Sequence, residues 1–128
     1  MLSQQEIDAF VELVQDNDFV EDSAAKAVFH RTSKVVLKAL AQAMGLKEGT
    51  YDIRSNMGGI AVSGEITLHG EDLYVQFSQY DMGILYRSCK GRQDYSGGAN
   101  QWMQWHGLND LYQAARTIRK NTTKFLVQ

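Results

Sequence analysis

Two hydrophobic periodicities divide the chain. Up to about residue 44, apolar residues recur every three or four positions, which places them on one face of an α-helix. After Gly45 they alternate with polar residues, which is the pattern of a strand with one buried face. Helical spacing returns near residue 110. Helices, then strands, then a helix predict an α+β domain built in two layers.

The first two helices have recognisable ends. One should run from Ser3 to about Gln15, because Ser3-Gln4-Gln5-Glu6 is a capping box. Its apolar stripe consists of Ile7, Phe10, Val11 and Val14. The second should run from Ser23, as N-cap, to Met44, with Gly45 in a left-handed conformation just after it.

Four short strands should follow, joined by turns rich in Gly, Asn and Asp, and then a C-terminal helix from Asp110 to about Lys120 capped by Asn109. Short sequential turns favour an antiparallel meander. The strands are Tyr51–Ser55, Ile60–Leu68, Leu73–Ser78 and Ile84–Lys90. One sheet face should pack on the helices through Val62, Ile66, Val75 and Phe77. The other should be partly open and display Tyr74, Gln76, Ser78 and Arg87.

Composition fits one α+β domain spanning residues 1–128, since 128 residues with 44 % hydrophobic content can bury a single core. One cysteine excludes an internal disulfide and favours a reducing compartment. We find neither a secretory signal nor an apolar run of about 20 residues. We therefore expect a cytoplasmic protein without a membrane partner.

The net charge of −2 is unevenly distributed. Residues 1–23 hold seven acids and no base, whereas residues 24–48 hold five bases and one acid. Two interpretations remain open. Either an acidic first helix lies against a basic second helix, or the two helices form separate functional faces.

The segment Tyr86–Trp105 is the most informative for function. It contains three cations, the single cysteine and both tryptophans. A plain turn needs a few polar residues, not cations interleaved with aromatics. At least one of Trp102 and Trp105 should enter the core, and the sequence leaves open which one.

Catalytic signatures are weak. Cys89, His106 and Asp94 could serve as nucleophile, base and orienting group, but no local motif surrounds Cys89, and we expect a buried structural thiol. His30, His69 and His106 lack the paired spacing of a zinc site, so each is expected at the surface or as a cap. We predict no cofactor, no metal and no catalysis.

We favour docking of a protein partner, because Trp, Tyr and Arg are enriched in interface hot spots. The surface would join the Arg87–Trp105 segment to the Arg54–Gly59 turn. Cations would attract the partner, Tyr95 and Trp102 would supply contact area, and Gly97-Gly98 would shape the loop. The predicted binding residues are Arg54, Asn56, Arg87, Lys90, Arg92, Tyr95, Gly97, Gly98, Asn100 and Trp102.

Two further function classes stay open. Cations beside aromatics also suit single-stranded nucleic acid, and two glycine turns could cradle a phosphoryl ligand, although an isoelectric point near 5.9 is not basic. A cysteine-dependent enzyme is the third hypothesis. Small regulators or inhibitors from mobile genetic elements have this size. That this chain is one of them is a hypothesis we keep. The sequence does not specify an oligomeric state.

Overall fold

The computed structural model describes residues 2–15, 23–56, 64–78, 83–92, 94, 96 and 98–122. The elements follow the predicted order of two helices, strands and a helix. They are α1 (Gln4–Gln15), α2 (Ser23–Ala43), β1 (Tyr51–Asn56), β2 (Glu65–Gly70), β3 (Leu73–Ser78), β4 (Ile84–Ser88), β5 (Gln101–Met103), a 3-10 turn (Trp105–Asn109) and α3 (Leu111–Thr122). The α+β prediction is confirmed. None of the described helices is long and apolar enough to cross a membrane.

The capping box of α1 forms as the sequence predicts. The Glu6 amide donates to Ser3 Oγ at 3.1 Å, and the Ser3 amide donates to Glu6 Oε1 at 3.1 Å. Hydrogen bonding of its carboxylate to the backbone amide, and then to the side chain, of Ser3 holds the pKa of Glu6 below its usual value. At the end of α2, Gly45 has φ +78° and the Leu46 amide donates to the Ala41 carbonyl at 2.9 Å. The Ser23 side chain, the predicted cap of α2, lies outside the described part.

The cap of α3 corrects the prediction by one residue. Asp110 Oδ1 accepts from the Gln113 amide at 3.1 Å, so Asp110 is the cap and not Asn109. Asn109 still belongs to the preceding 3-10 turn. Its carbonyl accepts instead from the Gln4 side-chain amide at 2.6 Å, which ties the start of α1 to the start of α3.

The sheet is antiparallel, with strands in the order β1-β2-β3-β4-β5. It therefore contains a fifth strand beyond the predicted four: Gln101–Met103 pairs with Ile84–Tyr86. Three residues are too few to show a period of two, which is why the pattern did not indicate this strand. The first part of the predicted second strand, including Val62, lies outside the described residues.

An aromatic cluster joins the helices to the sheet. The Phe10 ring of α1 lies 6.2 Å from Phe29 of α2, 5.8 Å from Phe77 of β3 and 6.2 Å from Trp105 of the 3-10 turn, all between centroids. Trp105 is 6 % exposed. It is thus the tryptophan that enters the core, together with the predicted core residues Ile66, Val75 and Phe77.

Strand alternation places a second set of side chains on the opposite side of the sheet, which we call the outer face. None of them belongs to the hydrophobic core cluster. Cross-strand pairing aligns them in rows. One row contains Asp52, His69, Tyr74 and Arg87; the next contains Arg54, Thr67, Gln76, Leu85 and Trp102. Tyr74, Gln76 and Arg87 are half-buried there, whereas Ser78 is buried.

Gly83 should be essential for the pairing of β4 with β5. A Cβ atom at this position would overlap the Met103 carbonyl of β5, whereas a Cβ at Gly91 would meet open space. We expect Gly83→Ala to lower the free energy of unfolding by about 1–3 kcal/mol and Gly91→Ala to change it by less than about 0.5 kcal/mol. Urea denaturation of both variants is the measurement. Equal stability would contradict this packing.

Candidate functional site

The loop between β4 and β5 (residues 89–100, the β4–β5 loop) crosses one end of the sheet. At its start, the Cys89 amide donates to the Asp72 carbonyl at 3.1 Å, and Cys89 Sγ lies 3.6 Å from the Gly70 carbonyl. Three residues on, Arg92 reaches β1. The first part of the loop therefore leaves β4, passes the β2–β3 turn and reaches the far edge strand at Arg92.

Arg92 attaches the tip of this loop to β1. Its Nη2 lies 2.9 Å from Asp52 Oδ1 and its Nε lies 3.2 Å from Asp52 Oδ2, a two-point pair between a guanidinium and a carboxylate. A third donor, Nη1, reaches the Gly49 carbonyl at 2.8 Å. The pairing raises the pKa of Arg92 and lowers the pKa of Asp52.

Arg54 shares the same carboxylate. Its Nη2 lies 3.2 Å from Asp52 Oδ2 and 3.4 Å from the Arg92 carbonyl. We call Asp52, Arg54 and Arg92 the Asp52 cluster. Two cations around one anion leave a net charge of +1, and the three side chains are between 34 and 48 % exposed. Solvent therefore reaches the cluster, and the nearby Glu71 carboxylate offsets part of its positive charge.

His69 lies buried beneath the Asp52 cluster. Its Nδ1 is 3.4 Å from Arg54 Nη1, and its ring packs edge-on against Tyr74 at 5.3 Å. Burial is the main cause of the lowered pKa of His69. The backbone hydrogen bond with Gly91 raises this pKa, and the Arg54 charge lowers it further. Since the ordinary value is 6.5, the ring is neutral at pH 7.

The expectation of surface histidines is therefore wrong for two of the three. His69 is 4 % exposed and His30 is 3 % exposed, with His30 Nδ1 lying 2.8 Å from Ser55 Oγ. Arg54 and the β4–β5 loop cover His69, and the edge of the sheet covers His30. Contacts between residues distant in sequence bury both histidines, so no local sequence pattern indicates their burial. His106 is exposed, as expected.

Arg87 supports the other end of the β4–β5 loop. Its Nη1 donates to Asn100 Oδ1 at 2.9 Å, and its Nη2 donates to the Gly98 carbonyl. Gly98 itself lies against Ser88, where a Cβ would overlap the serine backbone. Three predicted site residues thus form one hydrogen-bonded group. Attraction of a partner by Arg87 stays a prediction.

The solvent-exposed members of the predicted site, among the described residues, are Arg54, Asn56, Lys90, Asn100 and Trp102. Trp102, on β5 opposite Leu85, is 49 % exposed on the outer face. Arg54 belongs to the same cross-strand row but lies four strands away, roughly 19 Å at the usual strand spacing. Lys90 is exposed on the loop, and Asn56 is exposed at the end of β1. Tyr95 and Gly97 lie outside the described residues.

Cys89 is buried, as predicted, at 8 % exposure. Its Sγ lies 3.5 Å from the Gly91 carbonyl, and burial raises the pKa of the thiol. It therefore stays protonated at neutral pH. Within the described ranges, no three residues of metal-binding type are grouped closely enough to hold an ion.

Sequence reasoning missed Asp52, which connects two of the predicted cations. One signal was present: Asp52 and Arg54 are two residues apart on a strand, so their side chains share a face. The partner Arg92 is 40 positions away from Asp52. Only the path of the β4–β5 loop brings them together.

No protein-family model, curated protein or solved structure matches this chain.

The attachment of the loop should depend on pH through Asp52. A carboxyl whose pKa is lower in the folded than in the unfolded chain stabilises the folded state at any pH above its unfolded-state pKa of about 3.9. That contribution is lost as the pH falls through the lower folded-state pKa. We expect wild type to exceed Asp52→Asn in melting temperature by a constant margin above about pH 5 and the margin to close in acid. Glu12→Gln, at an exposed position outside the ion pairs found in the described part of the chain, is the control. A margin that does not change with pH would contradict the role of the Asp52 charge.

The two tryptophans should behave oppositely on truncation. Trp105→Ala removes a core ring and should cost about 3–5 kcal/mol of unfolding free energy. Trp102→Ala should cost less than about 1 kcal/mol, because half of the ring is already exposed. Chemical denaturation of both variants tests this. Similar losses would place both rings in the core and remove Trp102 from any docking surface.

Proposed function

We propose that this chain is a non-enzymatic protein that binds a protein partner through Trp102, Lys90 and the solvent side of the Asp52 cluster. The observation that carries the proposal is the position of Trp102. Of the four large apolar side chains exposed in the described part of the chain, it is the one on the outer face. A tryptophan presented this way, with cations on the same surface, is typical of an interface hot spot.

The contacts of the described residues of the β4–β5 loop support binding without a large entropic cost at those positions. Arg92 attaches its tip to β1, and Arg87 holds its end at Gly98 and Asn100. Residues that are held in place before the partner arrives lose little conformational freedom on association. Carboxylates lie beside the cations of this surface, since Glu71 acts on Arg92 and Asp94 interacts with Lys90. The preferred partner surface therefore combines an apolar pocket for Trp102 with charges of both signs around it.

A protein partner is favoured over nucleic acid because of how the arginines are used. Arg54 and Arg92 donate to Asp52, and Arg87 donates to the loop backbone and Asn100. A nucleic-acid groove instead directs several cations at successive phosphates. The buried, unpaired Cys89 is in keeping with a reducing cytoplasm, which we infer as the compartment.

Capture from the host of this protein tests the proposal. Tagged wild type, Trp102→Ala, Lys90→Glu and Lys120→Glu are compared, with bound protein and nucleic acid both quantified. Lys120 is an exposed lysine of α3, so its reversal makes the same change in net charge away from the outer face. We expect Lys120→Glu to retain one discrete protein partner and the other two variants to lose most of it.

Equal capture by all four proteins would contradict the proposed surface. Recovery that disappears on nuclease treatment would assign the surface to nucleic acid instead. The melting temperature of each variant is the folding control: a value near that of wild type would show that lost capture is not caused by unfolding.

A further inference from the structure

An open groove lies in the helix layer, where the start of α1, the second half of α2 and the start of α3 meet. Its volume is about 1000 Å³. Val35 and Tyr112, which line it, are 47 and 70 % exposed. Its other apolar lining residues are Leu2, Ile7, Ala39, Ala43 and Leu111. Exposed rings and branched side chains concentrated around one groove are typical of an interaction surface.

The helices beside the groove carry opposite charges. α1 contains three acids and no base, whereas α2 contains four bases and no acid. The two helices pack through Phe10 and Phe29, and none of the ion pairs found among the described residues joins α1 to α2. The acidic helix therefore does not neutralise the basic one within this part of the chain, and both charges stay at the surface.

The two signs lie on opposite rims of the groove. On one rim, Asp110 lines the groove, and Asp8 accepts a hydrogen bond at 3.0 Å from Gln4, which also lines it. On the other rim, Lys38 lines the groove and Lys34 lies one turn earlier on α2, next to Val35. Lys38 is also 3.3 Å from Glu48, but both side chains are more than half exposed, so that pair is weak.

We propose that the occupant of this groove is a second copy of the chain, related by a two-fold axis that runs along the groove. Such an axis places the acidic rim of each copy against the basic rim of the other. An axis across the groove would instead oppose like charges, so the charge pattern selects the first arrangement. Val35 and Tyr112 then become buried at the centre, and the interface is self-complementary, as closed dimers require.

This inference stands apart from the proposed function. The groove lies in the helix layer, on the side of the sheet opposite the outer face. A dimer formed there leaves Trp102 and Lys90 accessible on both copies, so either proposal can fail without the other.

Sedimentation over a range of protein concentrations tests the dimer, using wild type, Asp8→Lys and Lys34→Glu. Both residues are exposed, so the variants should fold. We expect a reversible wild-type dimer that weakens as salt rises, and roughly tenfold or greater weakening in each variant, because each opposes like charges twice across the two-fold axis. Glu71→Lys and Lys120→Glu are matched controls with the same charge changes away from the groove, and they should dimerise like wild type.

Mixing the two groove variants is the decisive step. In a mixed dimer, the lysine introduced at position 8 of one copy faces the glutamate introduced at position 34 of the other, and the native Lys34 faces the native Asp8. Affinity should therefore return to near the wild-type value although neither variant dimerises alone. A wild type that stays monomeric at every concentration would overturn the proposal. So would a mixture that stays monomeric, or groove variants that dimerise as well as their controls.

Discussion

The pairing of Arg92 with Asp52 determines where the β4–β5 loop lies, and the candidate surface depends on that position. It joins residues 40 positions apart and carries a loop that starts on β4 across to β1. The charges are partly exposed, so their Coulomb attraction is small. The restraint comes from geometry: two donors meet one carboxylate and a third meets the Gly49 carbonyl. The burial of His69 beneath the cluster follows from the same arrangement.

The sheet separates two surfaces of different character. Its inner face is fixed by the aromatic cluster of Phe10, Phe29, Phe77 and Trp105, which leaves the helices little freedom to shift. Its outer face has no part in that core and presents Trp102 instead. The two tryptophans are three residues apart, yet the change from β5 to the 3-10 turn sends them to opposite sides. The fold can thus hold one surface for a partner and another, in the helix layer, for a second copy.

Features set by near neighbours in sequence were predictable. The capping box of α1, the glycine after α2 and the alternation along β3 each depend on a few adjacent residues, and each was confirmed. Features set by distant contacts were not. No residue near Arg92 in sequence indicates its pairing with Asp52, and none near His69 indicates that Arg54 and the β4–β5 loop cover it. β5 is too short to show the alternation of buried and exposed positions that marks a strand. Of the candidate site, the sequence indicated the segment and its cations, but not that Arg87 and Arg92 would hold the loop in place.

The central claim is that Trp102 contacts a protein. Site-specific photocrosslinking in the host tests it most directly, with benzoylphenylalanine in place of Trp102 and, as control, in place of the exposed Gln113 of α3. We predict a discrete protein adduct from position 102 that position 113 does not give. The absence of a protein adduct at position 102, or the same adducts from both positions, would contradict the claim.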